Sequence, residues 1–243
     1  MAELIVVLLA VAYGAVAGRL LVRPAYRFAV PAGEPWRDRC PDGHPVVGWL
    51  GGGRCTGCRG AAAYGPAPLW LVLPTAVACG GLAAAVGPRP ELVVWLALTP
   101  VAALLCAVDL RVHRLPDPLT LPLATASAAL LGLAAPLPGA GGTWPGALLG
   151  GLALGAGYFV LFLINPRGMG LGDVKLAIPC GVALGWYGAQ AVLMGTFTAF
   201  VLGAAYGTAL VLAGRAGRKT PVPFGPFMIV GAFAGVAGGG LAL

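Results

Sequence analysis

Eight long stretches of this chain are all but free of charge, and that decides what it can fold into. They run over about 4–18, 68–87, 92–108, 118–136, 146–164, 174–189, 190–213 and 224–243, and 174–213 has no charge after Lys175. A helix needs about 20 mostly apolar residues to cross a hydrocarbon core of about 30 Å. With a mean hydropathy of +0.89 and 9% charged residues, an ordinary soluble domain is excluded. The expected fold class is an all-α membrane protein of about eight transmembrane helices. Ala- and Gly-rich spans such as 146–157 and 199–214 suit close packing of helix on helix.

The first run reads as an N-outside anchor, because Glu3 precedes it while Arg19, Arg23 and Arg27 follow it. Alternating eight spans from there puts fourteen of the fifteen lysines and arginines on the cytoplasmic side, among them Arg167, Arg215, Arg218 and Lys219; only Arg89 falls outside. The formal net charge of +7 is therefore the positive-inside bias of a multi-pass protein of the inner (plasma) membrane. Its partner is the lipid bilayer, and no nucleic-acid surface is implied. The chain divides into a first anchor over 1–23, a cytoplasmic loop domain over 24–66 and a membrane domain over 67–243.

The loop carries Cys40, His44, Cys55 and Cys58 in the spacing C-x3-H-x10-C-x2-C. Thiolate and imidazole in two close pairs suit a tetrahedral structural zinc. So short a polar loop cannot build a core of its own, and a metal staple would replace one. A reducing cytosol argues against disulfides. Cys79, Cys106 and Cys180 lie in apolar spans and read as small packing residues.

Two acids remain at the ends of spans, Asp109 and Asp173, 64 residues apart and on the same expected side. A carboxylate at membrane depth costs about 2.5–3.5 kcal/mol on insertion scales and marks function by default. Asp109 ends its span, where the partial negative charge of a helix C-terminus suits an acid that shares a proton; the alternative is a solvated carboxylate paired with Arg111 or Arg114. Asp117 reads as an N-cap, followed by Pro118 at the first helical position. Asp173 follows Gly168, Gly170 and Gly172, which permit backbone shapes and close approaches forbidden to other residues. Two carboxylates held together cannot both ionise cheaply. One can take a proton from water while the other protonates the amide carbonyl, which makes Asp109 and Asp173 a candidate aspartic-protease dyad. His113 reads as a solvated loop residue. A transporter or proton relay would use the same acids but would leave the cysteine loop without a purpose.

The words A-V-D-L-R-V-H-R-L-P-D-P-L-T at 107–120, G-M-G-L-G-D-V-K-L at 168–176 and P-V-P-F-G-P-F at 221–227 together resemble the prepilin peptidase (type IV leader peptidase) family, membrane aspartic proteases of the Gly-x-Gly-Asp type. The likeness is good over roughly 92–243. It implies catalysis by Asp109 and Asp173, and cleavage at the cytoplasmic face after the glycine that ends the basic leader of prepilins and pseudopilins. The turn at Pro223–Pro226 has no chemistry of its own and reads as shaping the substrate groove, the alternative being a plain helix start. Presenilin-type relatives would show Tyr-Asp where this chain has Val108-Asp109. Bifunctional members of the family also methylate the new N-terminus with S-adenosylmethionine and carry two Cys-x-x-Cys pairs. Here the first pair is Cys40 with His44, in a shorter loop.

Overall fold

The computed structural model describes residues 1–166, 168–215 and 222–242; Arg167, Arg218, Lys219 and Pro221 lie outside them. The described residues are helical apart from connections and two isolated bridges, Arg39 to Pro45 and Arg54 to Ala63. The helices are α1 (Ala2–Leu20), α2 (Val22–Phe28), α3 (Leu69–Val86), α4 (Pro90–Val112), α5 (Asp117–Ala134), α6 (Trp144–Ile164), α7 (Leu171–Trp186), α8 (Ala189–Leu212) and α9 (Gly225–Leu241). Eight of them answer the eight apolar runs. The ninth, α2, is a single short amphipathic segment. Among the described residues, six helices are long and apolar enough to cross a membrane. The other two, α7 with 16 residues and α9 with 17, are shorter than the length usual for a lipid-exposed span. The division expected near residue 189 falls at Tyr187-Gly188, where Gly188 takes φ +98°, a left-handed conformation that glycine adopts without strain.

Contacts between helix ends define the two ends of the bundle. At one end the N–H of Gly225 meets Asp109, Lys175 meets Asp117, and Arg114 reaches the loop at Pro31. At the other, Arg89 donates to the Gly240 carbonyl and the N–H of Thr143 to that of Trp186. Both aspartates are thus at one end.

In lipid there is little hydrophobic drive between helices, so backbones must come close enough for dispersion to hold them. Glycine makes that possible here. A Cβ on Gly181 of α7 would collide with the Gly150 carbonyl of α6, and one on Gly185 with that of Gly146. Gly231 of α9 meets the Gly195 carbonyl of α8 in the same way. Gly14 and Gly18 of α1 fit against Thr75 and Leu71 of α3, where an added Cβ would lie 2.6 Å from each carbonyl oxygen. As a result α7 is buried along most of its length, while α8 turns Leu193, Met194 and Phe197 outward.

The loop between α2 and α3 gathers Cys40, Val46, Cys55 and Tyr64 around Tyr26 of α2. Arginines fasten it to the bundle. Arg23 donates to the Tyr64 hydroxyl at 3.1 Å, and Arg27 to the Gly48 carbonyl at 2.9 Å while lying 4.0 Å over the Trp49 ring. Arg114, from the membrane domain, donates to the Pro31 carbonyl at 2.9 Å and stacks 4.7 Å over Trp36.

This packing predicts that Gly181→Ala, a change of one methyl group, costs at least about 1–3 kcal/mol through overpacking. Gly157→Ala, on the same pair of helices but with open space at its Cβ, is the control and costs nothing measurable. Thermal unfolding of the two purified variants in detergent checks the difference.

Candidate active site

Asp109 lies in the last turn of α4, which continues to Val112 and is closed by His113 in the left-handed region (φ 50°) with its N–H on the Asp109 carbonyl. The expectation of a solvated carboxylate paired with arginine is not met. Asp109 is only 4% exposed, Arg111 points to the surface, and Arg114 is engaged by the loop. The Asp109 Oδ2 instead accepts a hydrogen bond of 3.0 Å from the backbone N–H of Gly225, the first residue of α9. That N–H is one of the donors a helix start leaves without an internal partner, so it favours an acid there. A Cβ at position 225 would stand 2.8 Å from the same oxygen, so only glycine allows this approach. The Pro-Phe-Gly-Pro turn therefore touches the acid directly, a role beyond the groove-shaping expected of it.

Asp173 is the third residue of α7. Its Oδ2 accepts from the N–H of Gly170, the N-cap, at 3.1 Å, and it is half-buried. Gly170 is extended, with φ −81° and ψ 149°; of the two things expected of these glycines, close approach is the one the structure shows. What Gly172 supplies is room. A Cβ there would lie 3.0 Å from the Cβ of Leu115, and the Cδ2 of that same buried leucine is 3.4 Å from the Cβ position of Gly225. Leu115 thus fits between the two glycines that adjoin the acids. One oxygen of each acid is tied to a backbone N–H, and among the described residues Oδ1 of each has no hydrogen-bond partner.

The capping role expected of Asp117 is corrected. Pro116 is the N-cap of α5, no side chain caps it, and Asp117 is already helical. Its carboxylate forms an ion pair of 2.7 Å with Lys175. The acid still benefits from the helix start, and it occupies the cation nearest Asp173 in sequence.

In the loop, Cys40, His44, Cys55 and Cys58 converge, their ligand atoms all within 4.8 Å of one another. The Cys40 and Cys58 sulfurs are 3.7 Å apart, and the Nδ1 of His44 is 3.7 and 3.3 Å from them. A tetrahedral ion with bonds of about 2.3 Å to sulfur and 2.0–2.1 Å to nitrogen needs edges of about 3.8 and 3.6 Å. The group can therefore hold a metal ion. Two tight turns present it, with the N–H of Gly43 on the Cys40 carbonyl and that of Ala61 on the Cys58 carbonyl. Cys79, Cys106 and Cys180 are not part of this group.

Sequence reasoning passed over Glu91. It is fully buried in the first turn of α4, at the end opposite Asp109, and its Oε1 accepts from the Gly141 N–H at 3.0 Å and the Tyr187 hydroxyl at 3.4 Å. The signal was available: an acid two residues after Arg89, at the edge of an apolar run. About 27 Å of helix separates it from Asp109, and Cys106 is the one titratable side chain between them on α4. It takes no part in the aspartate pair.

The sequence profile of the type IV leader peptidase family matches residues 96–208, which include both aspartates. A prepilin leader peptidase/N-methyltransferase of Aeromonas hydrophila is 33% identical over 220 residues, covering 85% of this chain and 71% of that protein. One from Dichelobacter nodosus is 36% identical over 222 residues, 85% of this chain and 72% of its own length. The chain belongs to the type IV leader peptidase family. Another member of the family, a prepilin leader peptidase/N-methyltransferase of Aeromonas salmonicida (strain A449), is 36% identical over 190 residues. That alignment takes in 76% of this chain but 62% of the relative, so the chain spans less than two thirds of that protein's length. No solved structure matches the chain.

The loop geometry predicts about one bound metal ion per chain, measured by elemental analysis of the purified protein. Cys55→Ser or His44→Ala should lower the occupancy at least ten-fold after dialysis against a weak chelator, while Cys79→Ala leaves it unchanged.

Proposed function

We propose that this protein is an integral-membrane aspartic endopeptidase that removes the leader of type IV prepilins or pseudopilins at the cytoplasmic face of the inner membrane. Asp109 and Asp173 are its catalytic pair. The observation that carries this reading is the bond from Gly225 N–H to Asp109, in a family of leader peptidases: it fixes a buried carboxylate beside a second one at the same end of the bundle. Two like charges so close favour a state with one proton between them. The ionised acid accepts a proton from water as the water oxygen attacks the scissile carbonyl carbon. The protonated acid gives its proton to the carbonyl oxygen. Collapse of the tetrahedral species then breaks the C–N bond, and the nitrogen leaves with a proton returned by the pair. The backbone N–H groups of Gly225 and Gly170 hold one oxygen of each acid in place, so that Oδ1 of each faces the reaction.

Cys40, His44, Cys55 and Cys58 are proposed to hold a structural zinc that fixes the loop over 24–66 against the membrane domain of 67–243. The ion supplies a rigid tetrahedral crosslink and no step of the hydrolysis. Positive-inside bias supports a cytoplasmic loop and an outside N-terminus. The relatives are named as N-methyltransferases as well as leader peptidases, and we include methylation of the new N-terminus with S-adenosylmethionine as donor. The loop has no strand followed by a glycine-rich turn to cradle a nucleotide, so no residue is assigned to that cofactor. A proton relay is the weaker reading. It requires titratable groups strung across the bilayer, and between Glu91 and Asp109 α4 carries no titratable side chain but Cys106.

Co-expression with a prepilin bearing its leader tests the proposal. Wild type should shorten the substrate, Asp109→Asn and Asp173→Asn should each lower cleavage by at least about a thousand-fold, and survival of cleavage in either variant would refute the pair. Mass measurement of the product N-terminus decides methylation by the presence or absence of one added methyl group. Gly225→Ala should lower cleavage at least ten-fold without loss of folded protein, because its methyl group displaces Asp109.

A further inference from the structure

The loop between α2 and α3 turns three large apolar side chains outward: Val47, Trp49 and Leu50 are 79%, 46% and 61% exposed. Apolar surface gathered in this way marks contact with a membrane or another molecule. The three residues form the tip of a short finger over 46–51. That finger lies within the ten residues separating His44 from Cys55, so the Cys/His group closes its base. Two arginines of α2 line its inner side. Arg27 donates to the Val46 and Gly48 carbonyls at 3.3 and 2.9 Å, and Arg23 donates to the Val47 carbonyl. The Trp49 ring rests on Arg27 and on Phe28, 5.3 Å away. The finger therefore has its carbonyls at 46–48 satisfied from within while its apolar side chains point away.

Its depth is set by the first span. The N–H of Gly51 donates to the carbonyl of Leu20, the last residue of α1, at 2.8 Å, and the N–H of Arg23 donates to the Gly51 carbonyl at 3.0 Å. The outer face of α1 reaches the same place, with Val16 and Leu20 63% and 40% exposed. Just beyond, Leu21 and Val22 pack with Leu104 and Val108, so this is the aspartate end of the bundle. A second exposed tryptophan, Trp70 of α3, precedes the residue whose carbonyl meets Gly18 in the last turn of α1. Tryptophan gathers at this level in membrane proteins, where its ring meets both lipid and water.

We propose that the finger embeds Val47, Trp49 and Leu50 in the headgroup layer and upper acyl chains of the leaflet at the aspartate end, with phospholipid as its partner. The inference is independent of the peptidase reading. Lipid is favoured over a protein because the tip is continuous with the exposed apolar face of α1, the surface a first span turns to the bilayer. The polar groups agree. Among the described residues the N–H groups of 47–50 have no acceptor, which suits the headgroup layer, where phosphate and ester oxygens accept, and not the hydrocarbon core. Arg19 is exposed at the same level, 3.8 Å from the Cβ position of Gly52, and among the described residues no carboxylate pairs with it. Its charge is placed for lipid phosphate. The loop is then held from two directions, by Arg114 from the bundle and by the finger from the lipid.

Photocrosslinking in phospholipid nanodiscs tests the proposal on the full chain. Leu50 is replaced by the photoreactive p-benzoylphenylalanine, and adducts are identified by mass spectrometry after irradiation. Leu8, on the exposed face of α1, is the lipid-facing reference, and Glu34, an exposed polar residue of the same loop, is the water-facing one. Position 50 should yield phospholipid adducts at a level near that of position 8 and at least about five-fold above that of position 34. Labelling at 50 no stronger than at 34 overturns the proposal. So do adducts at 50 to a second copy of the chain in place of lipid, which would make the finger a protein interface. Fluorescence gives a second answer with a milder change. The part of the tryptophan emission that disappears in Trp49→Phe should be quenched by lipids brominated near the glycerol end of their chains, and less by lipids brominated near the methyl end. Emission from Trp49 that neither lipid quenches places the ring in water and overturns the proposal.

Discussion

The depth at which α7 sits governs this structure, and contact between bare backbones sets that depth. Gly181 and Gly185 leave no space for a Cβ against α6, so α7 settles into its neighbours and is buried at most positions between Val174 and Trp186. Gly231 performs the same service for α9 against α8. With both short helices drawn in, their first residues fall at the same level as the last turn of α4. The N-terminus of α9 then presents a free N–H to Asp109, and the N-terminus of α7 carries Asp173 at the same end of the bundle. Helix packing far from the acids sets the level of both helix starts.

Charge is distributed to serve the same end of the molecule. Arginines that mark the positive side of a membrane protein also act as fasteners here. Arg23 and Arg27 bind loop carbonyls and rings, and Arg114 ties the loop to the connection just beyond Asp109. Among the described residues the one ion pair joins Lys175, two residues after Asp173, to Asp117. The Asp109 carboxylate accepts from the Gly225 N–H at the start of α9. A bound metal in the Cys/His group would stiffen the loop that Arg114 grips, so the loop and the aspartate end are mechanically one region.

Much of this was legible in the sequence. Apolar runs of membrane length specify helices because no other segment satisfies its own backbone in lipid, and the eight runs became eight helices. The convergence of the four Cys and His side chains was legible because chelation imposes spacing, and both aspartates because acids are rare in such a chain. Other features were not, each for a tertiary reason. The burial of Asp109 depends on Gly225, 116 residues away, and nothing local to either residue announces it. The role of Gly172 is space for Leu115, a close approach that its sequence setting suggested without naming the partner. Asp117 had the neighbours of an N-cap but found Lys175 across the bundle. Glu91 was passed over because a lone acid at a helix start resembles a routine one until its surroundings are seen to be dry. The helix α2 is too short for periodicity to reveal.

The account stands or falls on the proximity of Asp109 and Asp173, which can be measured without any substrate. In a chain with Cys79, Cys106 and Cys180 replaced by alanine, both aspartates are changed to cysteine and treated with a short bifunctional thiol reagent. Mass spectrometry of the digested protein then identifies which residues are joined. A 109–173 crosslink formed rapidly and in high yield is the predicted result. Efficient modification of both cysteines with no link between them would contradict it.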